Sequence, residues 1–214
     1  MLQYRTVYPE TLGLLKELMQ LPCLQDFFLV GGTALALQIG HRISVDIDMF
    51  SLSEFDSEEL LSQLVGQFII SNAVFSKNTL SFDAACHCGR NEIVKVDLIR
   101  HSYPLINAVR TIDDIRLLST EDIVAMKLSA IAGRGFKKDF YDIAYLLDMY
   151  SLEEMLTFFK KKYPETNEFQ ILKSLTYFDD ADSTPDPETA DKIEWKEIKK
   201  KIAHETASYI SKLQ

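Results

Sequence analysis

The chain has 214 residues, 47% of them apolar and 26% charged, enough to bury a core of its own. Its 23 basic residues fall short of its 32 acidic ones, a formal net charge of −9, so overall charge supplies no general grip on a nucleic-acid backbone and any such grip has to be local. Three cysteines are too few for a disulfide framework, no apolar run reaches the roughly 18 residues of a bilayer span, and "MLQYRTVYPE" carries neither a basic leader nor an apolar signal core. The expectation is a cytoplasmic protein.

Pro9 opens a helical pattern in which Leu12, Leu15, Leu18 and Met19 recur on one face until Pro22. Phe27 to Val30 reads as a short buried strand, broken by Gly31 and Gly32, and "TALALQI" as a short helix closed by Gly40. "ISVDIDMF" alternates and predicts the next strand, with Val45, Ile47 and Met49 in the apolar layer. Asp56 and Glu59 resemble a capping box for a helix to about Gln67. "IISNAVFS", "TLSFDAACH" and "EIVKVDLI" follow as strands, the last two joined through "CGRN". From Ser119 the spacing becomes helical to the end, interrupted by the acidic stretch "FDDADSTPDPETAD", which reads as a surface connection. The predicted fold class is α+β: a small mixed sheet flanked by helices over residues 1–118, then a C-terminal helical bundle over 119–214 packed on that core.

Chemistry concentrates in two places. In a strand, alternate side chains share a face, so Asp46 and Asp48 point the same way with Cα atoms roughly 6.6 Å apart, within reach of one hard divalent cation. The bland alternative is a solvated strand edge. Asp97 in "IVKVDLIRH" supplies a third carboxylate if its strand pairs beside the first, and three such groups suffice for two ions astride a transferring phosphoryl group. Gly31 and Gly32 at a strand-to-helix junction permit close backbone approach, and the helix amides with the Thr33 hydroxyl form an anion site or a plain capped turn. Lys127 and Arg134, seven apart on one helix, can line a face toward a polyanion; Asp139 and Asp142 can pair with Lys138 and Arg134. Arg42 either touches a nucleotide or braces its loop. Cys86-His87-Cys88 lacks a second cluster at zinc spacing and reads as a strand end. Lys160-Lys161-Lys162 and Lys199-Lys200-Lys201 are solvated helix faces or a local basic surface for RNA.

The glycine pair followed by the acidic doublet resembles the nucleotidyltransferase superfamily of the DNA polymerase β type. More narrowly, "LVGGTALAL…HRISVDIDMF", "KVDLI" and "STEDIVAMKLSAIAGRGFKKDFYDIAYLL" are similar to the AbiEii/AbiGii toxin family of nucleotidyltransferases, the enzymatic halves of abortive-infection and toxin–antitoxin pairs. The resemblance spans about residues 27 to 200. It implies Asp46, Asp48 and Asp97 as catalytic metal ligands for Mg²⁺ or Mn²⁺, and Gly31, Gly32, Thr33 and Arg42 on the nucleotide. It further implies Lys127 on the triphosphate, with Arg134, Lys138 and Asp139 completing the cleft from the helical side. The implied reaction moves a nucleoside monophosphate from an NTP to an acceptor hydroxyl, on RNA and most plausibly tRNA, with an antitoxin partner. A protein hydroxyl as acceptor, or a silent nucleotide-binding module, are the competing readings.

Overall fold

This computed structural model describes residues 1–85 and 92–213, apart from the side chain of Arg134. Cys86-His87-Cys88 and the "CGRN" turn therefore lie outside the described residues. By its internal contacts the chain falls into two compact units, residues 1–103 with 108–118, and residues 104–107 with those from Ser119 onward.

The first unit is built on a seven-stranded mixed sheet. Helix α1 (Pro9–Gln20) begins at its proline and buries Leu14, Leu15, Leu18 and Met19. Strand β1 (Phe27–Leu29) runs into helix α2 (Gly31–Ile39), which ends on Gly40 in the left-handed region. Strand β2 (Ile47–Ser51) precedes helix α3 (Ser57–Val65), whose first turn is capped by the Asp56 carboxylate accepting from the amides of Glu58 and Glu59. Strands β3 (Ile69–Ser76), β4 (Thr79–Ala85) and β5 (Val94–Arg100) form an antiparallel run, and the short β6 (Arg110–Ile112) and β7 (Ile115–Leu117) make a hairpin. The sheet order is β3-β4-β5-β2-β1-β7-β6, with β2 parallel to β5 and β1 parallel to β7. The β6–β7 hairpin has no counterpart in the sequence reading.

Register decides what each face of the sheet carries. Phe82, Val96 and Ile47 lie side by side across β4, β5 and β2, as do Leu80, Leu98 and Met49, and all six are buried. The residues between them, Ser81, Asp97 and Asp48, form an in-register polar row on the opposite face. Val45 does not join the apolar layer as the alternation predicts. It is 48% exposed because β2 begins only at Ile47, and the stretch before it touches the sheet region through an isolated bridge between Val7 and Ser44. Arg116 fixes β7 in place, its guanidinium donating to the carbonyls of Met19, Leu24 and Phe27 at 2.7 to 2.9 Å.

The second unit is helical. Helix α4 (Thr120–Arg134) is flanked by α5 (Lys137–Leu146), α6 (Leu152–Lys162) and α7 (Glu168–Leu175); the short α8 (Asp179–Asp182) lies in the acidic stretch, and α9 (Trp195–Lys212) packs on α5, α6 and α7. Enclosed on several sides, α4 buries Ile123, Val124, Ala125, Leu128 and Ile131 and also the charged Asp122 and Lys127. Among the described residues no helix is long and apolar enough to cross a membrane.

Candidate active site

The site in the sheet unit forms where β1 turns into α2. Gly31 has φ +67°, a conformation that L side chains rarely adopt, and a Cβ there would come 2.5 Å from Asp48 Oδ2. Gly32 leaves room of a different kind: a Cβ there would come 2.4 Å from Arg42 Nη2, so the guanidinium would have to shift. The close approach predicted for the glycine pair is therefore made first to groups of the protein itself, an acid on one side and a buried arginine on the other.

Helix α2 starts without a side-chain cap, its N-cap position being Val30. By helical geometry the amides of Gly31, Gly32 and Thr33 have no acceptor within the helix, and they carry the positive end of its dipole. Thr33 does not cap. Its side chain is buried, its hydroxyl donates to the Asp46 carbonyl, and it shares a 2.9 Å hydrogen bond with the Ser44 hydroxyl. The threonine hydroxyl thus braces the backbone carrying the acidic doublet, which leaves its amide for an anion. Arg42 is buried, with Nη1 donating to the Ile43 carbonyl at 3.0 Å, and so holds its own loop as well as standing beside Gly32.

The acidic residues follow from register. Asp48 on β2 and Asp97 on β5 are direct neighbours in the parallel pair, both half-buried between fully buried positions. Asp46, also half-buried, lies two residues before Asp48, just outside the strand. Asp97 is engaged at both oxygens: Oδ1 accepts from Ser81 Oγ at 2.5 Å and Oδ2 from Lys95 Nζ at 2.6 Å. That hydrogen bond holds the Lys95 ammonium above the ordinary lysine value; partial burial opposes the shift, and the charges of Asp97, Asp46 and Asp48 add to it. One ammonium therefore lies within the field of all three carboxylates. Among the described residues no three His, Cys, Asp or Glu side chains are already gathered as a metal site. The donor chemistry nonetheless fits a hard divalent cation, since oxygen ligands stand on adjacent strands and already share one positive charge.

The residues predicted for the helical side lie in the second unit. Lys127 is buried and pairs with Asp139 Oδ1 at 2.8 Å and Asp142 Oδ2 at 2.6 Å, both carboxylates being fully buried. Asp139 and Asp142 thus share Lys127, a partner the sequence did not point to, because α4 is enclosed and its lysine faces α5. Lys138 is the second residue of α5. A second buried pair joins Lys162 Nζ to Asp122 Oδ1 at 2.8 Å, and Asp122 also accepts from the amides of Ile106 and Asn107 and the hydroxyl of Ser119. Burial alone would push the Asp122 carboxyl up; Lys162, the two amides and Ser119 outweigh it and hold the group below the usual range. The lysine runs are likewise engaged: Lys160 pairs with Glu168, Lys199 with Asp182 and Lys201 with Asp148. Trp195 stacks on Tyr141 and meets Phe140 and Phe178 edge-on, so its ring is held by packing within the helical unit.

Sequence reasoning missed the roles of Ser44, Ser81 and Lys95. Lys95 carried a legible signal, standing two residues before Asp97 on the same strand face, whereas Ser44 and Ser81 become meaningful only through pairings between distant segments.

Comparison with known proteins identifies the family of the chain and relatives of its fold. The chain matches the family model described as nucleotidyl transferase AbiEii toxin, Type IV TA system, over residues 13–113 and 88–212. It is 33% identical over 204 residues to the uncharacterized protein aq_aa25 of Aquifex aeolicus (strain VF5), covering 92% of this chain and 94% of that one. In fold it is similar to JHP933 from Helicobacter pylori, with TM-score 0.57 and 17% identity over 94% of this chain and 91% of that one. It is also similar to MenT4, the nucleotidyltransferase toxin Rv2826c from Mycobacterium tuberculosis H37Rv, with TM-score 0.53 and 16% identity over 90% and 83% of the two chains.

Proposed function

The chain belongs to the AbiEii family of nucleotidyl transferase toxins, and from that premise we propose that it moves a nucleoside monophosphate from an NTP to a hydroxyl of RNA, most naturally a tRNA. The observation that supports this reading above others is the in-register pair Asp48–Asp97 beside the uncapped start of α2, with Gly31 against the Asp48 carboxylate. An anion attracted by the α2 amides there lies next to acidic side chains, an arrangement that is favourable only if cations accompany the anion.

In this reading the amides of Gly31, Gly32 and Thr33 hold the phosphates, and Arg42, behind Gly32, adds fixed positive charge. Thr33 and Ser44 hold the Asp46 backbone, and Ser81 orients Asp97. Asp46, Asp48 and Asp97 would hold Mg²⁺ or Mn²⁺, which when bound would neutralise charge on the phosphates and lower the pKa of the acceptor hydroxyl. The acceptor oxygen forms a bond to the α-phosphorus as the bond to the bridging oxygen breaks; pyrophosphate leaves, and the hydroxyl proton goes to water. No covalent protein nucleophile is needed, so positioning and charge supply the rate. A neighbouring antitoxin protein and a cytoplasmic setting complete the proposal.

Incubation of purified protein with each α-labelled nucleoside triphosphate, Mg²⁺ and total RNA tests the reading. Label in RNA supports it, label in protein redirects it to a protein hydroxyl, and retention of nucleotide without transfer leaves a binding module.

A further inference from the structure

The carboxylate row is not left without a cation. Lys95 Nζ stands 2.6 Å from Asp97 Oδ2, and Asp46 and Asp48 act on the same ammonium. Asp97's other oxygen is held by Ser81. A carboxylate oxygen in contact with an ammonium cannot offer the same lone pair to a dication without placing two positive centres against each other, so the Asp97–Lys95 contact and metal ligation by Asp97 compete. The lysine side chain is 53% exposed, and its flexible stem lets it leave at little cost, while Ser81 keeps Asp97 in place.

We propose that Lys95 is a built-in counter-ion of the acidic row, displaced from Asp97 when a divalent cation binds, so that it sets the metal affinity of the site. The proposal rests on the reading of Asp46, Asp48 and Asp97 as metal ligands given above. It explains why a lysine stands among acids whose assigned partner is a metal: without any cation the three carboxylates would repel one another, and an ammonium on the neighbouring turn of the pleat relieves that repulsion. Lys95 is accordingly a positioning residue, acting through Asp97.

Titration with Mn²⁺ alone, without nucleotide, tests this by following free Mn²⁺ in an electron paramagnetic resonance assay. Lys95→Met is expected to bind Mn²⁺ about tenfold more tightly than the unaltered protein, on the scale of removing one nearby like charge from a partly exposed site. Lys95→Arg, which keeps the charge, is expected to bind no more tightly than the unaltered protein. Lys95→Gln, with the same loss of charge in a polar side chain, replaces the methionine variant if circular dichroism shows that variant misfolded. Equal or weaker Mn²⁺ binding by the neutral variants overturns the counter-ion role while leaving the metal site standing, provided the unaltered protein binds Mn²⁺ and Asp46→Ala/Asp48→Ala does not. Failure of all forms to bind Mn²⁺ overturns the metal-site reading together with it.

Discussion

Asp139 and Asp142 in the helical unit are fully buried and closed on a buried lysine, whereas Asp46, Asp48 and Asp97 on the sheet are half-buried and share a lysine that is itself half-exposed. Each group contains a closely spaced acidic pair, Asp139 with Asp142 and Asp46 with Asp48, and in each the lysine comes from a distant part of the chain. Their environments differ, and under the proposed function so do their uses. A carboxylate taken fully out of water needs a permanent partner, and removing that partner is costly. A carboxylate at the surface of a sheet tolerates an exchangeable partner, which is what a site that takes up and releases cations requires.

Lys127→Met should break the comparison most visibly. It strips two buried carboxylates of a cation and is expected to destabilise the helical unit by about 3–5 kcal/mol in urea denaturation. A loss below about 1 kcal/mol would mean that these acids are as replaceable as those on the sheet. Lys162→Met is expected to cost less, on the order of 1.5–3 kcal/mol, since the amides of Ile106 and Asn107 and the Ser119 hydroxyl still hold Asp122. It also has a pH signature. Because the Asp122 carboxyl is held below its unfolded value, its contribution to stability is present above about pH 4 and is lost as pH falls through the depressed folded value. Removing Lys162 lessens that depression, so the acid limb of the stability profile should become shallower. Gly31→Ala is expected to cost about 1–2 kcal/mol for the left-handed backbone and to push Asp48 aside, which would appear as weaker Mn²⁺ binding as well as a lower denaturation midpoint.

Much of the sheet unit was legible from sequence because it is written in local signals. Pro9, Asp56 and Gly40 mark helix ends, and the alternation in β2, β4 and β5 places Asp48 and Asp97 on the polar face. The β6–β7 hairpin was not legible: strands of three residues are too short to show alternation. Its turn carries Asp113 and Asp114, both at positive φ, an aspartate doublet that makes the turn of a hairpin. The exposure of Val45 was missed because alternation was extended beyond the strand that generates it. The partners of Lys127 were not legible, for a physical reason of another kind. Helical periodicity shows which residues share a stripe, but not that α4 is covered on several sides, and so a lysine assigned to a polyanion is found closed on two aspartates of α5. Lys162 teaches the same, the third residue of an apparently solvated lysine run being fully buried.

The smallest expected effect on stability carries the largest expected effect on chemistry. Asp46→Ala/Asp48→Ala removes two half-buried like charges from the polar side of the sheet, and its denaturation midpoint should correspond to a change within about 0.5 kcal/mol. The direct measurement is transfer of label from an α-labelled nucleoside triphosphate into RNA by this variant beside the unaltered protein, in the presence of Mg²⁺. The account predicts incorporation by the unaltered protein and none by the equally stable variant; undiminished incorporation by the variant would contradict it.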